Sequence, residues 1–537
     1  MIANLCQKMK GHPALFALLW MAVLISLLCM TFDLSWQTND DVTMSMIAHG
    51  YGIVAYGSPN LVFSNVLWGH LVRAIPSIYG VLGYSIATLG TLLVIGWATL
   101  YFLIRLGVGY IASSLAVTLL LFTPTLFPQF TVNAGLLTVS AILGWQVYAR
   151  LGGLGNLLVA CLLAFFGYLI RDTEFLLVLG VALPLLPWRE LVKRRQMQVA
   201  FLLLGAAIAT ASVLDHWSYS TPEWQHFKEF NSVRLPFTDY GAGEHIKQHP
   251  EILARHGYSL NDVDLISHWF FVDTQMFDTK PLNAMLAELS QFPMQEGSVQ
   301  SGFESIKKLS SPVLLPVLLS ALLLLVLMPR WPVALTLLLC LAAIFTMGFM
   351  GRPGIFRVYV PLLSLLLVAP LMFGKNKEGK WQWMPASLLL VASFGCGYLI
   401  MPLAFQANYL VLQINKHIVA FPPEPVVVWG DSFRYDYAFP LLANDSDARH
   451  IRIYGLNSFT HAPFSVANLE QMEGRGLLKG LRSTTGILIV ALPSEFELLR
   501  NYCGEHMWGQ LRQDIVYQAT PITIKRVWCD VGEINAK

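Results

Sequence analysis

Residues 14–30 have the sequence ALFALLWMAVLISLLCM, a run without a single charged side chain. A membrane-spanning helix needs about 20 mostly apolar residues, so this run predicts such a helix. The basic residues Lys8 and Lys10 precede it, as they would in a signal peptide. However, residues 31–36 (TFDLSW) lack the small-residue pattern of a cleavage site. We therefore expect a retained membrane anchor.

Similar apolar runs recur along the chain. They occupy residues 81–104, 108–127, 131–149, 153–168, 173–188, 198–214, 311–328, 332–350, 356–373 and 384–404. Of the 537 residues, 55% are hydrophobic and 13% are charged, whereas soluble domains carry roughly 25% charged residues. The mean hydropathy is +0.55. The sequence thus predicts an α-helical polytopic membrane protein with about eleven transmembrane helices.

The basic residues predict the orientation of these helices, because cytoplasmic loops are enriched in lysine and arginine. With a cytoplasmic amino terminus, the inner loops receive Lys8, Lys10, Arg105, Arg150, Arg189, Lys193, Arg194, Arg195, Arg330, Lys375, Lys377 and Lys380. The short outer connections receive chiefly Arg73, Arg171, Arg352 and Arg357. Three long segments then lie outside: the first (residues 31–80), the second (residues 215–310) and the tail (residues 405–537). The totals of 35 basic and 33 acidic residues give no reason to expect nucleic acid as a partner.

The tail has the pattern of a small folded domain. Residues 424–430, 450–455 and 485–490 are runs rich in β-branched residues that predict strands, and residues 494–502 predict a helix. Short apolar strands separated by helix-length segments favour an α/β layer. We expect a membrane domain over residues 1–404 and an extracytoplasmic α/β domain over residues 405–537. Cys503 and Cys529 lie in this tail, and the sequence leaves open whether they pair.

The first segment contains adjacent carboxylates in Asn39-Asp40-Asp41. A carboxylate that is desolvated and next to a like charge has a raised pKa, and it can then act as general base toward a hydroxyl group. The alternative is that Asp40 or Asp41 caps a helix that begins near Val42. One aspartate could fill each role.

Arginines near the outer ends of spans form a second group of candidates. Arg352 and Arg357 lie in a stretch broken by Gly and Pro, and Tyr359 follows them. A guanidinium binds phosphate oxygens with paired hydrogen bonds, although both arginines could instead extend toward the lipid interface. Arg171 separates two short apolar runs, which indicates either a site at membrane depth or a hairpin turn at the outer surface.

Aromatic residues mixed with Asn, Asp and Arg in the second segment, such as His268 and Trp269, are typical of a sugar-binding surface. Aromatics are also expected wherever a loop lies on a bilayer. The chain has no glycine-rich phosphate loop, no HExxH and no paired CxxC motif. We assign no metal site from the sequence, and a divalent ion between Asp40 or Asp41 and a lipid phosphate stays open.

The acidic pair in the first outer loop, together with the many spans and the extramembrane tail, resembles the membrane-embedded C-type glycosyltransferases (the GT-C superfamily). Residues 130–135 (FTVNAG), 357–361 (RVYVP), 257–262 (GYSLND) and 269–273 (WFFVD) are similar to uncharacterised bacterial members. The resemblance covers the membrane part of the chain. It implies a GT-C-like fold in the bacterial inner membrane and a donor sugar carried by a polyprenyl phosphate or diphosphate.

The resemblance further implies an inverting transfer of the sugar to a hydroxyl group of a glycan, lipid or protein on the outer face. Asp40 or Asp41 would be the catalytic base. Arg357, Arg352 and Arg171 would bind the donor phosphate, and Tyr359, His268 and Trp269 would contact substrate. The alternative is a transporter, or a protein that handles lipid-linked glycans without catalysis. A third alternative is an assembly subunit whose tail recruits partners.

Overall fold

The computed structural model describes residues 11–289, 298–352, 354–373, 383–418, 421–444, 451–519 and 522–531. The first ten helices are α1 (Pro13–Thr31), α2 (Asn39–His49), α3 (Val66–Ala74), α4 (Gly83–Arg105), α5 (Tyr110–Leu126), α6 (Phe130–Leu151), α7 (Leu154–Ile170), α8 (Asp172–Val181), α9 (Trp188–Lys193) and α10 (Arg195–Ser218). The second segment contributes α11 (Pro222–Asp239), α12 (Ala242–Ile246), α13 (Pro250–His256), α14 (Leu260–Ser267), α15 (Thr279–Glu288) and α16 (Val299–Lys307).

Apolar helices follow, and then the tail. The apolar helices are α17 (Leu315–Leu327), α18 (Trp331–Phe349), α19 (Phe356–Met372) and α20 (Met384–Ile418). The tail contains β1 (Val426–Trp429), α21 (Tyr435–Ala438), β2 (Ile453–Leu456), α22 (Val466–Met472), α23 (Leu477–Arg482), β3 (Ile487–Val490), α24 (Pro493–Met507), β4 (Gln510–Ala519) and β5 (Ile522–Asp530).

Each apolar run in the sequence contains a helix, as predicted. Among the described residues, six helices are long and apolar enough to cross a membrane, or seven if the pair α16–α17, bent by 91°, forms one broken span. Helices α5, α7 and α19 are shorter, at 10–17 residues. The prediction of an α-helical polytopic membrane protein is confirmed, whereas the count of about eleven spans stays a prediction.

Helix α6 lies at the centre of the helical part of the chain. Its apolar window is entirely buried, and α4, α7, α8 and α19 pack against it. Helices at the periphery present apolar side chains outward: Leu202 of α10, Leu338 of α18 and Val391 of α20 are 73%, 62% and 71% exposed. Because apolar side chains are stable at such positions when lipid surrounds them, this exposure is what a membrane-embedded helix bundle requires.

The tail forms a five-stranded sheet with the strand order β2-β1-β3-β5-β4. Strand β1 pairs in parallel with β2 and with β3, and β5 pairs antiparallel with β3 and β4. Helices connect the parallel strands, as such connections require. A disulfide bond between Cys503 and Cys529, whose Cα atoms are 5.8 Å apart, joins α24 to β5. The prediction of a small α/β domain in the tail is confirmed.

The second segment packs onto this sheet. One hydrophobic cluster contains Phe230, Phe270 and Phe277 of the second segment together with Val427 and Trp429 of β1. The hydroxyl of Tyr502 donates a hydrogen bond to Asp273 Oδ2 at 2.7 Å, and the Trp429 indole N–H donates to the backbone oxygen of His268. Most of the second segment and the sheet therefore share one core. Helix α20 continues past residue 404, the predicted end of the membrane domain, to Ile418.

Contacts between the three long segments place them on the same side of the helix bundle. The backbone N–H of Asp33 donates to Asn408 Oδ1 near the end of α20 at 2.8 Å. The side-chain amide of Asn60 donates to the backbone oxygen of Ser218 at the end of α10 at 3.1 Å. The first segment thus lies between the bundle and the other two segments.

Candidate functional site

The acidic pair lies in the first turn of α2. This helix begins at Asn39, with Thr38 as its N-cap residue and no side-chain capping hydrogen bond. The hypothesis that Asp40 or Asp41 caps a helix starting near Val42 is therefore wrong, because the helix starts earlier. Both carboxylates still lie at the positive end of the helix dipole, where negative charge is favourable.

Asp41 is buried, with 0% of its surface exposed. Its Oδ1 accepts hydrogen bonds from the Tyr84 hydroxyl at 3.1 Å and from the backbone N–H of Phe130 at 3.0 Å. Among the described residues, none donates a hydrogen bond to its Oδ2. Burial, and secondly the charge of Asp40, raise the pKa of the Asp41 carboxyl well above its usual range. Asp41 thus joins α2 to α4 and to the first residue of α6.

Asp40 faces in a different direction and forms an ion pair. Arg357 Nη1 lies 2.7 Å from Asp40 Oδ2, and the two side chains are 37% and 35% exposed. Arg357 is in the first turn of α19. Unlike the buried Asp41, this pair is accessible to solvent.

Arg171 is brought to the same place by the break between α7 and α8. Its backbone is extended (φ −157°, ψ 100°), which ends α7 and turns the side chain away from the helix axis. Its Nη1 donates to the backbone oxygen of Phe63 at 3.0 Å, and its guanidinium lies 5.8 Å from the Phe130 ring centre. Phe130 therefore contacts Arg171 through its ring and Asp41 through its N–H.

We call Asp40, Asp41, Arg171 and Arg357 the acid–arginine cluster. Its residues come from the first segment, from the break between α7 and α8 and from the start of α19. These positions are all at the ends of helices on the side of the three long segments. The cluster therefore lies at one face of the bundle.

A buried carboxyl that the sequence did not single out lies behind this cluster. Glu174 of α8 is 2% exposed, and its Oε1 has no hydrogen-bond partner among the described residues. A Cβ atom placed on Gly135 of α6 would lie 2.4 Å from Pro361 of α19 and 3.2 Å from this Oε1. Gly135 thus lets α6 and α19 approach closely, one turn after Arg357. In the sequence, Glu174 belongs to the same charged stretch as Arg171, residues 171–174.

Arg352 and Tyr359 make contacts outside the cluster. Arg352 lies 4.9 Å from the Tyr240 ring centre and donates to the Tyr240 hydroxyl, which joins it to the second segment. The Tyr359 hydroxyl donates to the backbone oxygen of Ser305 at 3.2 Å and accepts from the N–H of Gly354 at 3.0 Å. Tyr359 is buried and thus supports the stretch that precedes Arg357.

His268 and Trp269 lie where the second segment meets the tail. The His268 backbone oxygen accepts from the Trp429 indole, and its Nδ1 lies 2.8 Å from the backbone oxygen of Asp264. Trp269 has a positive φ of 71°, which is uncommon for a large side chain, and the Arg234 guanidinium lies 4.6 Å from its ring centre. The structure does not bring either residue to the acid–arginine cluster.

One group of side chains has the composition of a metal site. Ligand atoms of Asp262, Glu505 and His506 lie within 4.8 Å of one another. Asp262 Oδ1 is 2.8 Å from His506 Nε2, and its Oδ2 accepts from the N–H of Ser259 at 2.8 Å. The Ser259 hydroxyl donates to Glu505 Oε2 at 2.7 Å. These bonds already connect α14 with α24, so the group has a structural role without an ion.

A narrow apolar crevice begins beside the cluster. It runs between α5, α17 and α19 and is lined by Phe356 and Val360, which flank Arg357 in the sequence, and by Leu120, Pro124 and Val317. Apolar residues line it almost throughout.

Comparisons with known proteins do not establish the chemistry of this site. No protein-family model matches the chain, and no curated protein does either. Among solved structures, the chain is similar to the crystal structure of ArnT from Cupriavidus metallidurans in the apo state. The identity is 13%, the match covers 95% of this chain and 97% of that chain, and the TM-score is 0.41.

Proposed function

We propose that this protein is an inverting glycosyltransferase of the GT-C type, which moves a sugar from a polyprenyl phosphate or diphosphate to an acceptor hydroxyl group. The single observation that carries the proposal is the Asp40–Arg357 ion pair, in which a partly exposed carboxylate lies 2.7 Å from a partly exposed guanidinium. A lipid-linked sugar needs both groups at the membrane surface. The acidic pair and residues 130–135 and 357–361 are also among the features that resemble this superfamily.

In this proposal the two aspartates have different roles. Asp40 is the catalytic base, because about a third of its side chain is exposed and an acceptor hydroxyl can reach it. Asp41 holds α2 in place through its bonds to Tyr84 and Phe130. The buried carboxyl of Asp41 cannot contact an acceptor without displacing its neighbours.

The reaction is a single displacement. The acceptor oxygen attacks the anomeric carbon as Asp40 takes its proton, and the bond between this carbon and the phosphate oxygen breaks with inversion. The bonding electrons leave with the phosphate. The guanidinium of Arg357 stabilises the negative charge that grows on the phosphate, and Arg171 makes a smaller contribution. Preorganised charge of this kind is worth about 3–4 kcal/mol per group in other enzymes. Arg352, His268 and Trp269 would then contact more distant parts of the substrates, whereas the buried Tyr359 would support the stretch that precedes Arg357.

We place the site on the extracytoplasmic face of a bacterial inner membrane, because the distribution of basic residues assigns the three long segments to that side. The donor in this proposal is a polyprenyl-linked sugar. The acceptor is a glycan, a lipid or a protein. A divalent ion between Asp40 and the donor phosphate would compete with Arg357 for the same carboxylate.

A transporter would bind its substrate near the middle of the membrane, at a site reachable from both sides. The acid–arginine cluster instead lies at helix ends on one side of the bundle. This placement supports the enzyme over a carrier that works without catalysis.

The test uses the full chain in lipid nanodiscs with synthetic polyprenyl-phosphate hexoses that carry a tritium label, and transfer to a lipid, glycan or water is counted. Asp40→Asn should lower transfer by roughly a thousandfold, within the range of losing a general base and its charge. Asp41→Asn should lower it less, because an amide oxygen can still accept from Tyr84 and Phe130. Full transfer by both variants would overturn the proposal.

A binding measurement separates the enzyme from a carrier. Arg357→Ala and the wild type are compared for retention of the labelled polyprenyl-phosphate hexose by the nanodiscs. An enzyme should release free polyprenyl phosphate in the wild type, whereas a carrier would retain and move the intact conjugate. Recovery of only the intact conjugate from both the wild type and Arg357→Ala would therefore favour the carrier.

A further inference from the structure

A short stretch of the tail crosses the acidic helix. We call residues 434–441 the strap; it follows β1 and contains α21. At its start, Arg434 binds Asp436 with two hydrogen bonds, Nε to Oδ1 at 3.0 Å and Nη2 to Oδ2 at 2.6 Å. Just before the strap, the Ser432 hydroxyl donates to the backbone oxygen of Val490 in β3 at 3.0 Å. The strap is thus connected to the centre of the tail sheet.

The strap contacts the first segment on the approach to α2. The backbone N–H of Leu441 donates to the oxygen of Leu34 at 2.8 Å. The indole N–H of Trp36 donates to the oxygen of Phe439 at 3.0 Å, and this bond is buried. The backbone N–H of Asp436 donates to Asn39 Oδ1 at 3.2 Å. These bonds lie at intervals along residues 34–39 and end on the residue before Asp40.

The tail also holds the chain that leaves α2. Residues 52–55 lie along the edge of β2, where Gly52 bridges Arg452 and Val54 bridges Ser465. The N–H of Gly52 donates to the oxygen of Ile451 at 3.2 Å, and Ile453 donates back to the oxygen of Gly52 at 2.9 Å. The strap thus binds the chain before α2, and residues 451–465 bind the chain after it, so the tail contacts the first segment on both sides of this helix.

Two routes lead from the strap to the aspartates. Asn39 is covalently next to Asp40, so a shift of its side chain moves the first turn of α2. Trp36 packs against Tyr84 with ring centres 5.5 Å apart, and the Tyr84 hydroxyl donates to Asp41. A displaced strap would therefore disturb both Asp40 and Asp41.

We infer that Asn39 and Trp36 are positioning residues through which the tail aligns the acidic helix for catalysis. The inference rests on the proposed function for its catalytic part. The tail then acts as a component of the catalytic unit rather than as a module that recruits partners. A misalignment of about 1 Å costs up to roughly a hundredfold in rate in other enzymes, while substrate binding changes little.

The test measures hydrogen exchange of the full chain in nanodiscs, which needs no substrate, and transfer of the tritiated hexose in the same preparations. The variants are Asn39→Ala, which removes the acceptor for Asp436 N–H, and Trp36→Phe, which keeps a ring beside Tyr84 but lacks the indole N–H. Each should increase deuterium uptake in peptides covering residues 434–441 and the start of α2. Each should lower kcat by roughly tenfold and leave KM within about twofold.

Two further variants make the result specific. Asn39→Asp keeps an oxygen at the same position and should recover the low deuterium uptake of the wild type. Arg512→Ala, in the β4–β5 hairpin, breaks a contact with Asp530 far along the sheet and should change neither exchange nor kcat. Loss of activity in Arg512→Ala as large as in Asn39→Ala would indicate a general effect of tail stability and overturn the positioning role.

Asp40→Asn in the same assay separates this inference from the proposed function. If Asp40→Asn is inactive while Asn39→Ala and Trp36→Phe keep the wild-type kcat, the positioning role is wrong and the proposed function stands. If Asp40→Asn and Asp41→Asn both keep full transfer, the proposed function fails. Unchanged exchange in α2 for both Asn39→Ala and Trp36→Phe would by itself show that the tail does not align this helix.

Discussion

Arg357 donates a hydrogen bond to Asp40 at 2.7 Å, although 317 positions separate the two residues in the chain. The bond joins the first turn of α19 to the first turn of α2. Exposed ion pairs of this kind contribute only about 0–1 kcal/mol to folding. The pair is therefore better explained by the charge that it brings to a substrate than by the stability it adds.

Removing the guanidinium of Arg357 should affect transfer far more than stability. We expect Arg357→Ala to lower kcat by roughly a hundredfold or more, since one preorganised charge at the leaving group is lost. Arg357→Lys should recover only part of this, because an ammonium cannot form paired hydrogen bonds with a phosphate. Thermal unfolding should shift little. Arg73→Ala, at the exposed end of α3, is the matched control and should retain wild-type kcat.

Arg352 provides an internal comparison. Its guanidinium is engaged by Tyr240 of the second segment. We expect Arg352→Ala to reduce transfer less than Arg357→Ala, because the cluster geometry does not depend on it. An equal loss in both variants, measured with the labelled donor, would place Arg352 in direct contact with the phosphate.

The contact of Gly135 with Pro361 should be sensitive to a single methyl group. A Cβ at Gly135 would lie 2.4 Å from Pro361, so Gly135→Ala must push α6 and α19 apart. Overpacking of this kind costs about 1–3 kcal/mol, and it should also lower kcat because Arg357 lies one turn away. Gly155→Ala in α7, where nothing lies within 4 Å, should be neutral or slightly stabilising. Thermal unfolding and transfer would be measured on both.

Glu174 should be more important for packing than for its charge. Its carboxyl fills the space beside Gly135 and Pro361. We expect Glu174→Ala to cost about 1–3 kcal/mol of stability by leaving a buried gap, whereas Glu174→Gln should retain both stability and transfer. The exposed Asp172, two residues earlier, is the control, and Asp172→Ala should have a small effect. A large kcat loss in Glu174→Gln would instead assign its charge a part in the reaction.

The raised pKa of Asp41 predicts how stability depends on pH. As pH rises above the usual range of an aspartate, the unfolded chain loses this proton while the folded chain keeps it. The folded state then binds more protons, so this group lowers the free energy of unfolding with increasing pH until the raised pKa is reached. We expect Asp41→Asn to remove the part of this pH dependence that comes from Asp41. Unfolding temperatures at about pH 5 and pH 8 should differ less in Asp41→Asn than in the wild type.

Local properties of the chain were sufficient for the membrane class and for part of the tail, since β4 and β5 were not predicted. The apolar runs predicted helices because length and apolarity decide whether a segment is stable in lipid, and neither depends on distant residues. The strand-like runs near residues 426, 453 and 487 are present as β1, β2 and β3 for a similar reason. The acidic pair and Arg357 were also identified from residue type and position alone.

Tertiary structure decided where those side chains lie and what they contact. It buries Asp41 against a backbone N–H of Phe130 and leaves Asp40 accessible. The sequence alone cannot distinguish these environments, because the two adjacent side chains are identical. It places His268 and Trp269 against the tail sheet instead of the cluster. The physical reason is that lipid solubility is a property of each segment, whereas burial and hydrogen-bond partners depend on how segments far apart in the chain pack together.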